Sequence, residues 1–253
     1  MTNRHTRILE ALTKKQRIEV ATLAAMLEVS QVTIRKDLDQ LEERGLIRRE
    51  HGFASIDPAD DVGKRLAYKY HIKRRIAVAA AESVEEGETV LIESGSCCAL
   101  LAEELATTKR NVTIVTNSAF IANHIRYAPY GKVILLGGYY QPGAQVTVGS
   151  ITCKCAGVFF SDKFFIGIDG FTEKFGFTGK DHLRAQTVQG LMEQARQVLV
   201  LTDSEKFSHQ GVVQLLSTED VSMVYTDDQI PPEQEAFLRE KNIVVHKVSS
   251  AGV

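Results

Sequence analysis

From residue 74 onward, short apolar runs alternate with helical segments, and this pattern constrains the fold more than any other feature of the 253-residue chain. Strand-like runs recur at 89–93 (TVLIE), 112–118 (VTIVTNS), 132–138 (KVILLGG), 163–171 (KFFIGIDGF) and 197–204 (QVLVLTDS), with later ones near 221–226 (VSMVYT) and 242–248 (NIVVHKV). Between them, segments such as 76–84 (IAVAAAESV), 99–106 (ALLAEELA), 119–128 (AFIANHIRYA), 151–159 (ITCKCAGVF) and 183–195 (LRAQTVQGLMEQA) have helical character. Apolar strands without polar alternation are buried on both faces, and intervening helices supply the crossovers that parallel neighbours need. The expectation is an α/β domain built on a Rossmann-like parallel sheet.

Ligands of such sheets bind beyond the carboxyl ends of the strands, which directs attention to the residues that follow each run. Glu93, Gly95, Ser96, Cys97 and Cys98 follow the first and open a helix, so their backbone N–H groups can hold an anion. Thr116 and Asn117 follow the second, Gly137 and Gly138 the third, Asp169 and Gly170 the fourth, and Lys206 lies just past Asp203 after the fifth. Carboxylates suit hydroxyl groups and an ammonium suits a phosphate. Together they describe a pocket for a small phosphorylated sugar or polyol. Each residue has a plainer alternative, since glycines serve turns and acids serve as caps. Asp181 and His182 could line the same pocket or cap a helix. A thiol at a helix N-terminus can also have a lowered pKa, so Cys97 and Cys98 raise the question of a redox role.

The front of the chain reads differently. Leu23, Ala24 and Leu27 share one helical face, and Ile34, Leu38 and Leu41 repeat the spacing after a short break, with Ser30 placed to cap the second helix and Gly45 to end it. A first helix around Ile8, Leu9 and Leu12 closes a three-helix core. This is a helix-turn-helix, followed at 46–56 by two extended pieces around a Gly turn, a β-wing. Burial of Ile34, Leu38 and Leu41 leaves Ser30, Gln31, Val32, Thr33, Arg35 and Lys36 facing outward at the end that enters a major groove, with Arg48, Arg49 and His51 along the wing. Gln31 and Arg35 suit base edges, Val32 or Thr33 a thymine methyl, and Lys36 a phosphate. A charged helix pair is otherwise only a solvated face or a protein-binding bundle.

Charge separates the same two parts. The whole chain carries −2, yet residues 1–75 hold sixteen basic against eleven acidic side chains, +5, and the remaining 178 hold fourteen against twenty-one, −7. A basic segment of this kind points to nucleic acid. The N-terminal stretch lacks a signal-peptide core, and nothing approaches the length of a spanning helix, so a cytoplasmic protein without membrane association is expected. Four cysteines without zinc-like spacing are expected to be reduced thiols, with no metal and no cofactor.

The residues Arg7-Ile8-Leu9, Leu23-Ala24, Val29-Ser30, 33–38 (TIRKDL), Leu41-Glu42, Gly45 and 49–54 (REHGFA) closely resemble the DeoR family of bacterial transcription regulators, departing at Lys36 and Phe53. The motifs ESGS, IVTNS, ILLGG, FIGIDG and TDSEKF resemble the family's effector domain, a relative of the ribose-5-phosphate isomerase fold, with Glu93 and Cys97 in place of the usual acid and hydroxyl. The resemblance implies a winged helix-turn-helix at 1–57, a linker at 58–73 that couples the two parts, and a sensor domain at 74–253. It implies a repressor of a carbohydrate-utilisation operon, binding double-stranded operator DNA as a homodimer or homotetramer and released by a phosphorylated sugar or polyol. An activator would use the same residues. An isomerase-like enzyme, with Glu93, Asp169 or Lys206 as acid-base groups, is the alternative, but it would not need the front module.

Overall fold

The computed structural model describes residues 3–56 and 62–251 and divides into two compact units, Met1–His71 and Ile72–Val253. In the first unit, α1 (Asn3–Lys15), β1 (Arg17–Glu19), α2 (Val20–Leu27) and α3 (Gln31–Glu43) precede the wing strands β2 (Arg48–Glu50) and β3 (Phe53–Ser55). Ile8, Leu9, Leu12, Leu23, Ile34, Leu38 and Leu41 are all sealed from solvent, forming the expected three-helix core.

Local chemistry sets the boundaries of these helices. Glu28 adopts the left-handed conformation at φ 55° to make the turn between α2 and α3, and the Ser30 hydroxyl accepts the Thr33 N–H at 3.1 Å to start α3. At the far end, Gly45 takes φ +71°, its N–H donates to Glu42 (2.8 Å), and the Leu46 N–H donates to Leu41 (3.0 Å), the paired bonds of a Schellman stop. The wing sheet has three strands in the order β1-β3-β2, and β1 is the strand that apolar periodicity does not reveal. The Arg17 guanidinium sits 4.2 Å over the Phe53 ring, so an aromatic side chain at this wing position is covered by a cation from β1. Of the expected linker, residues 58–61 lie outside the described residues; beyond them α4 (Val62–Ala67) buries Val62, Leu66 and Ala67 and packs on α1.

The second unit is carried by α5 (Tyr70–Glu82), whose first two residues belong to the first unit. It continues through β4 (Thr89–Ile92), α6 (Ser96–Thr108), β5 (Thr113–Thr116), α7 (Ala119–His124), β6 (Lys132–Leu135), β7 (Tyr139–Gln141), β8 (Val146–Val148), α8 (Ser150–Ala156) and β9 (Ser161–Ile166). Then follow β10 (Gly170–Thr172), β11 (Gly176–Gly179), α9 (His182–Met192), β12 (Ala195–Leu201), a 3-10 turn (Ser204–Ser208), β13 (Val213–Leu216), β14 (Met223–Asp227), α10 (Pro232–Glu240) and β15 (Val244–Val248).

Seven strands form one sheet in the order β15-β14-β12-β9-β4-β5-β6, every neighbouring pair parallel. The chain starts at β4, runs outward through β5 and β6, then returns to β9 on the other side of β4. That reversal between β4 and β9 is the switch point where such sheets open a crevice. Leu91, Val115, Phe164, Ile166, Val200 and Val224 fill the core. The Gly-rich stretch after β9, expected as a loop, is the β10–β11 hairpin, extended by β13 into a small antiparallel sheet; β7 and β8 form a second hairpin around the Pro-Gly loop. Phe171 of β10 meets Phe177, Phe207 and Phe237 in tilted or edge-on contacts at 5.1, 5.5 and 6.1 Å between ring centroids, fixing the turn that carries Asp203 and Lys206.

Candidate nucleic-acid interface and effector site

On the outer face of α3, Ser30, Gln31, Val32, Arg35 and Lys36 are exposed, Val32 at 62% despite being apolar, while Thr33 is half-buried and bonds Ser30 Oγ (2.9 Å). Arg48 and His51 are exposed on the wing. Arg49 is placed otherwise: its guanidinium pairs with Asp39 of α3 and its N–H donates to Glu42 Oε1 at 2.8 Å. It ties the wing to the recognition helix.

Behind that face lies a cluster that periodicity alone did not single out. Asp37 is 5% exposed and accepts from Arg4 Nε and from Arg4 Nη2 (2.9 Å), with His5 Nε2 at 3.2 Å. The available signal was its position, three residues after Ile34 on the buried stripe of α3. Burial would push this carboxyl up, but the Arg4 guanidinium, with His5, outweighs it and holds Asp37 below the usual carboxylate range. Burial pushes His5 the other way, down from its ordinary value, more than Asp37 can restore.

In the sheet unit, the expected effector residues divide into those brought together at the switch point and those with visible structural work. Gly95 and Gly167 close on each other across it: a Cβ added to either would meet the other's Cα at 3.0 Å. Buried Glu93 accepts from Ser94 Oγ (2.5 Å) and from the Gly167 N–H (3.4 Å), bridging the β4 and β9 loops. Gly95 precedes α6 and offers no side-chain cap, so the first turn of Ser96, Cys97 and Cys98 starts without one. Helices α7 and α9, by contrast, are capped by Ser118 (Ile121 N–H, 3.1 Å) and Asp181 (Arg184 N–H, 2.8 Å).

Cys98 is wholly buried, its Sγ directed at the Phe165 carbonyl (3.6 Å). Cys97 is 4% exposed, and burial pushes its thiol up to about 12, against smaller influences from Lys73, Asp203, Lys206 and Asp227. The helix-terminus argument for a lowered thiol pKa is thus overturned by desolvation. None of the four cysteines, all of them among the described residues, is joined in a disulfide.

Thr116 donates to Ile92 (2.6 Å) and accepts from Ser118, so its hydroxyl is engaged in the backbone. Asn117 donates to the Thr147 carbonyl (2.9 Å), but its buried Oδ1 has no partner among the described residues. Asp203, 3% exposed, likewise has a buried Oδ1 with none. Asp227, 1% exposed, accepts the Ser204 N–H at 2.8 Å and so holds the turn bearing half-buried Lys206. Lys73 and Asp227, which with Asp203 and Lys206 act electrostatically on Cys97, belong to this neighbourhood without having been singled out from sequence. Asp169 accepts the Lys180 N–H (3.2 Å). Gly170 is glycine because a Cβ would lie 2.4 Å from the His209 carbonyl, and Gly138 because one would meet Thr152 Oγ1 at 2.0 Å. Gly137 is exposed at the end of edge strand β6, the second strand away from β4.

Comparison with known proteins agrees with this two-part architecture. The DeoR-like helix-turn-helix domain matches residues 4–58, and the DeoR C terminal sensor domain matches residues 68–228. The glycerol-3-phosphate regulon repressor of Escherichia coli K12 is 30% identical over 246 residues, covering 96% of this chain and 97% of that protein. The transcriptional repressor CsqR of the same strain is 25% identical (96% and 94%), and the regulator GolR of Listeria innocua 26% identical (90% and 91%). Among solved structures, the full-length sorbitol operon regulator SorC from Klebsiella pneumoniae aligns over 92% of this chain and 99% of its own at 12% identity and TM-score 0.42. A winged helix-turn-helix followed in the chain by a parallel-sheet unit, and matches spanning both, place the chain in the DeoR family of DNA-binding transcription regulators.

Proposed function

We propose that this chain represses a carbohydrate-utilisation operon: the first unit binds operator DNA, and the second binds a phosphorylated sugar or polyol whose occupancy weakens that binding. In this reading Gln31, Val32, Arg35 and Lys36 meet the major groove and Arg48 and His51 the backbone. Because one helix-turn-helix makes a modest interface, the working form is a homodimer or homotetramer on paired half-sites. The protein acts in the cytoplasm, as a sensor and not as an enzyme.

One observation carries the effector half of the reading. At the switch point the start of α6, which has no side-chain cap, lies in the same neighbourhood as a buried carboxylate oxygen of Asp203 without a partner among the described residues. An unpaired buried acceptor is costly, and a ligand hydroxyl would satisfy it while the helix N-terminus and Lys206 receive a phosphate. A phosphorylated polyol offers both groups. The name of one relative, a glycerol-3-phosphate regulon repressor, supports that ligand class.

Thermal denaturation with a panel of sugar phosphates and their unphosphorylated parents tests it. A ligand of the native state at a hundredfold its Kd adds about 2.7 kcal/mol to stability. The expected result is a rise in Tm with a phosphorylated compound and none with its parent. No rise with any of them would defeat the effector assignment.

A further inference from the structure

Lys73 is 4% exposed, a state lysine rarely reaches because its ammonium is costly to take out of water. On α5 it precedes Ile76 by three residues and Ala77 by four, both sealed from solvent, so it lies on the inward face of that helix. Lys73, Asp203, Lys206 and Asp227 all act electrostatically on the buried Cys97 thiol in the first turn of α6, so the lysine and these strand-end charges share one buried field. The same field contains the Asp203 Oδ1, which has no hydrogen-bond partner among the described residues.

Helix α5 has a second property. Tyr70 and His71 cluster with the first unit and the rest of the helix with the second, and His71 Nδ1 lies 3.6 Å from Glu10 Oε1 of α1. Along the sequence of α5 a single residue, Ile72, lies between His71 of the first unit and buried Lys73 of the second.

We propose that Lys73 couples effector occupancy to operator affinity: the phosphate of a bound polyol phosphate draws the Lys73 ammonium away from Asp203 and Asp227, and the adjustment passes along α5. This rests on the effector reading above and adds the residue through which it acts. Unliganded, the lysine balances two buried carboxylates. With ligand present, a polyol hydroxyl bonds Asp203 Oδ1 and the phosphate supplies the counter-charge. The ligand thereby binds one setting of α5 better than the other, which is the differential affinity that any such shift requires.

The test compares full-length wild type, Lys73→Met and Lys73→Arg for affinity to a fluorescent duplex from the protein's own upstream region. Each is measured without ligand and with glycerol 3-phosphate, ribose 5-phosphate, fructose 1-phosphate or inorganic phosphate alone. For wild type a phosphorylated polyol lowers affinity about 5- to 150-fold, the usual range of such coupling. Lys73→Met brings that ratio to within about twofold of unity and Lys73→Arg restores most of it, a rescue that a purely packing role would not give. Hydrogen exchange on the wild type covers the case in which Lys73→Met does not fold: the effective ligand protects residues 70–78 together with 93–98 and 203–206.

A Lys73→Met protein released as fully as wild type overturns the proposal, as does ligand protection of 93–98 and 203–206 that leaves 70–78 unchanged; both leave the effector reading standing. If no compound releases the wild type or protects any segment, the effector reading fails and this proposal with it. Release by inorganic phosphate alone assigns the site to the free anion and contradicts the polyol contact at Asp203.

Discussion

Arg4 of α1 grips Asp37 of the recognition helix through both Nε and Nη2, the latter at 2.9 Å from Oδ1, while His5 Nε2 meets the same Oδ1 at 3.2 Å. The helix that presents Gln31, Arg35 and Lys36 is therefore held from behind by an ionic clamp, in addition to its apolar stripe.

Removing the carboxylate should loosen the reader without touching its outer face. Asp37→Ala is expected to lower the stability of the first unit by about 1–3 kcal/mol, since it strands the buried His5 imidazole and releases Arg4. Faster hydrogen exchange across 31–43, with 89–116 unchanged, is the expected signature.

The clamp also sets a pH dependence. Burial lowers the folded-state pKa of His5, so between its ordinary value near 6.5 and that lower value the unfolded chain binds a proton that the folded chain refuses. The first unit should lose stability as pH falls below about 6.5. Asp37, whose folded pKa is lowered by Arg4 and His5 against its burial, contributes stability that is complete above its ordinary value near 4 and disappears only as pH drops below it. Exchange across 3–56 at pH 5.5 and 7.5 reads the His5 effect, and His5→Gln should flatten it.

Base reading and backbone contact should separate by substitution. Arg35→Ala is expected to cost about 1–3 kcal/mol against the cognate operator and to relax sequence preference; Lys36→Ala should weaken all sequences alike and reduce the salt slope by about one. Arg49→Ala and Asp39→Ala should be non-additive, because their side chains pair with each other. Anisotropy titrations at several salt concentrations check all of these.

Cys97 and Cys98 should behave as packing groups. With the Cys97 thiol pushed up to about 12 by burial, its thiolate fraction at pH 8 is on the order of one in ten thousand. Alkylation of the native chain followed by peptide mapping should find Cys153 or Cys155, both partly accessible, modified first. Prompt labelling of Cys97 would count against the buried site.

Much of the architecture was legible because burial writes itself into sequence as periodicity. The stripe of Ile34, Leu38 and Leu41, the Ser30 cap, the Gly45 stop and the apolar strands of the parallel sheet follow from that rule. What escaped has a common cause: β1, the β7–β8 and β10–β11 hairpins and β13 are three- or four-residue strands held by pairing with distant partners. Glycines between them read as loop, although Gly170 is there to admit the His209 carbonyl. In the candidate site, strand-end position drew attention to Glu93, Gly95, Asp203 and Lys206. It could not point to Lys73, whose burial depends on which helix face turns inward, nor foresee that Arg49 would be paired to Asp39.

One titration tests effector-released repression most directly: full-length protein bound to a duplex from its own upstream region, challenged with phosphorylated sugars and polyols and with their unphosphorylated parents. The expected result is a sequence-specific, salt-sensitive complex that at least one phosphorylated compound weakens about tenfold or more while its parent does not. A complex that fails to form, or one indifferent to every phosphorylated compound, would contradict effector-released repression.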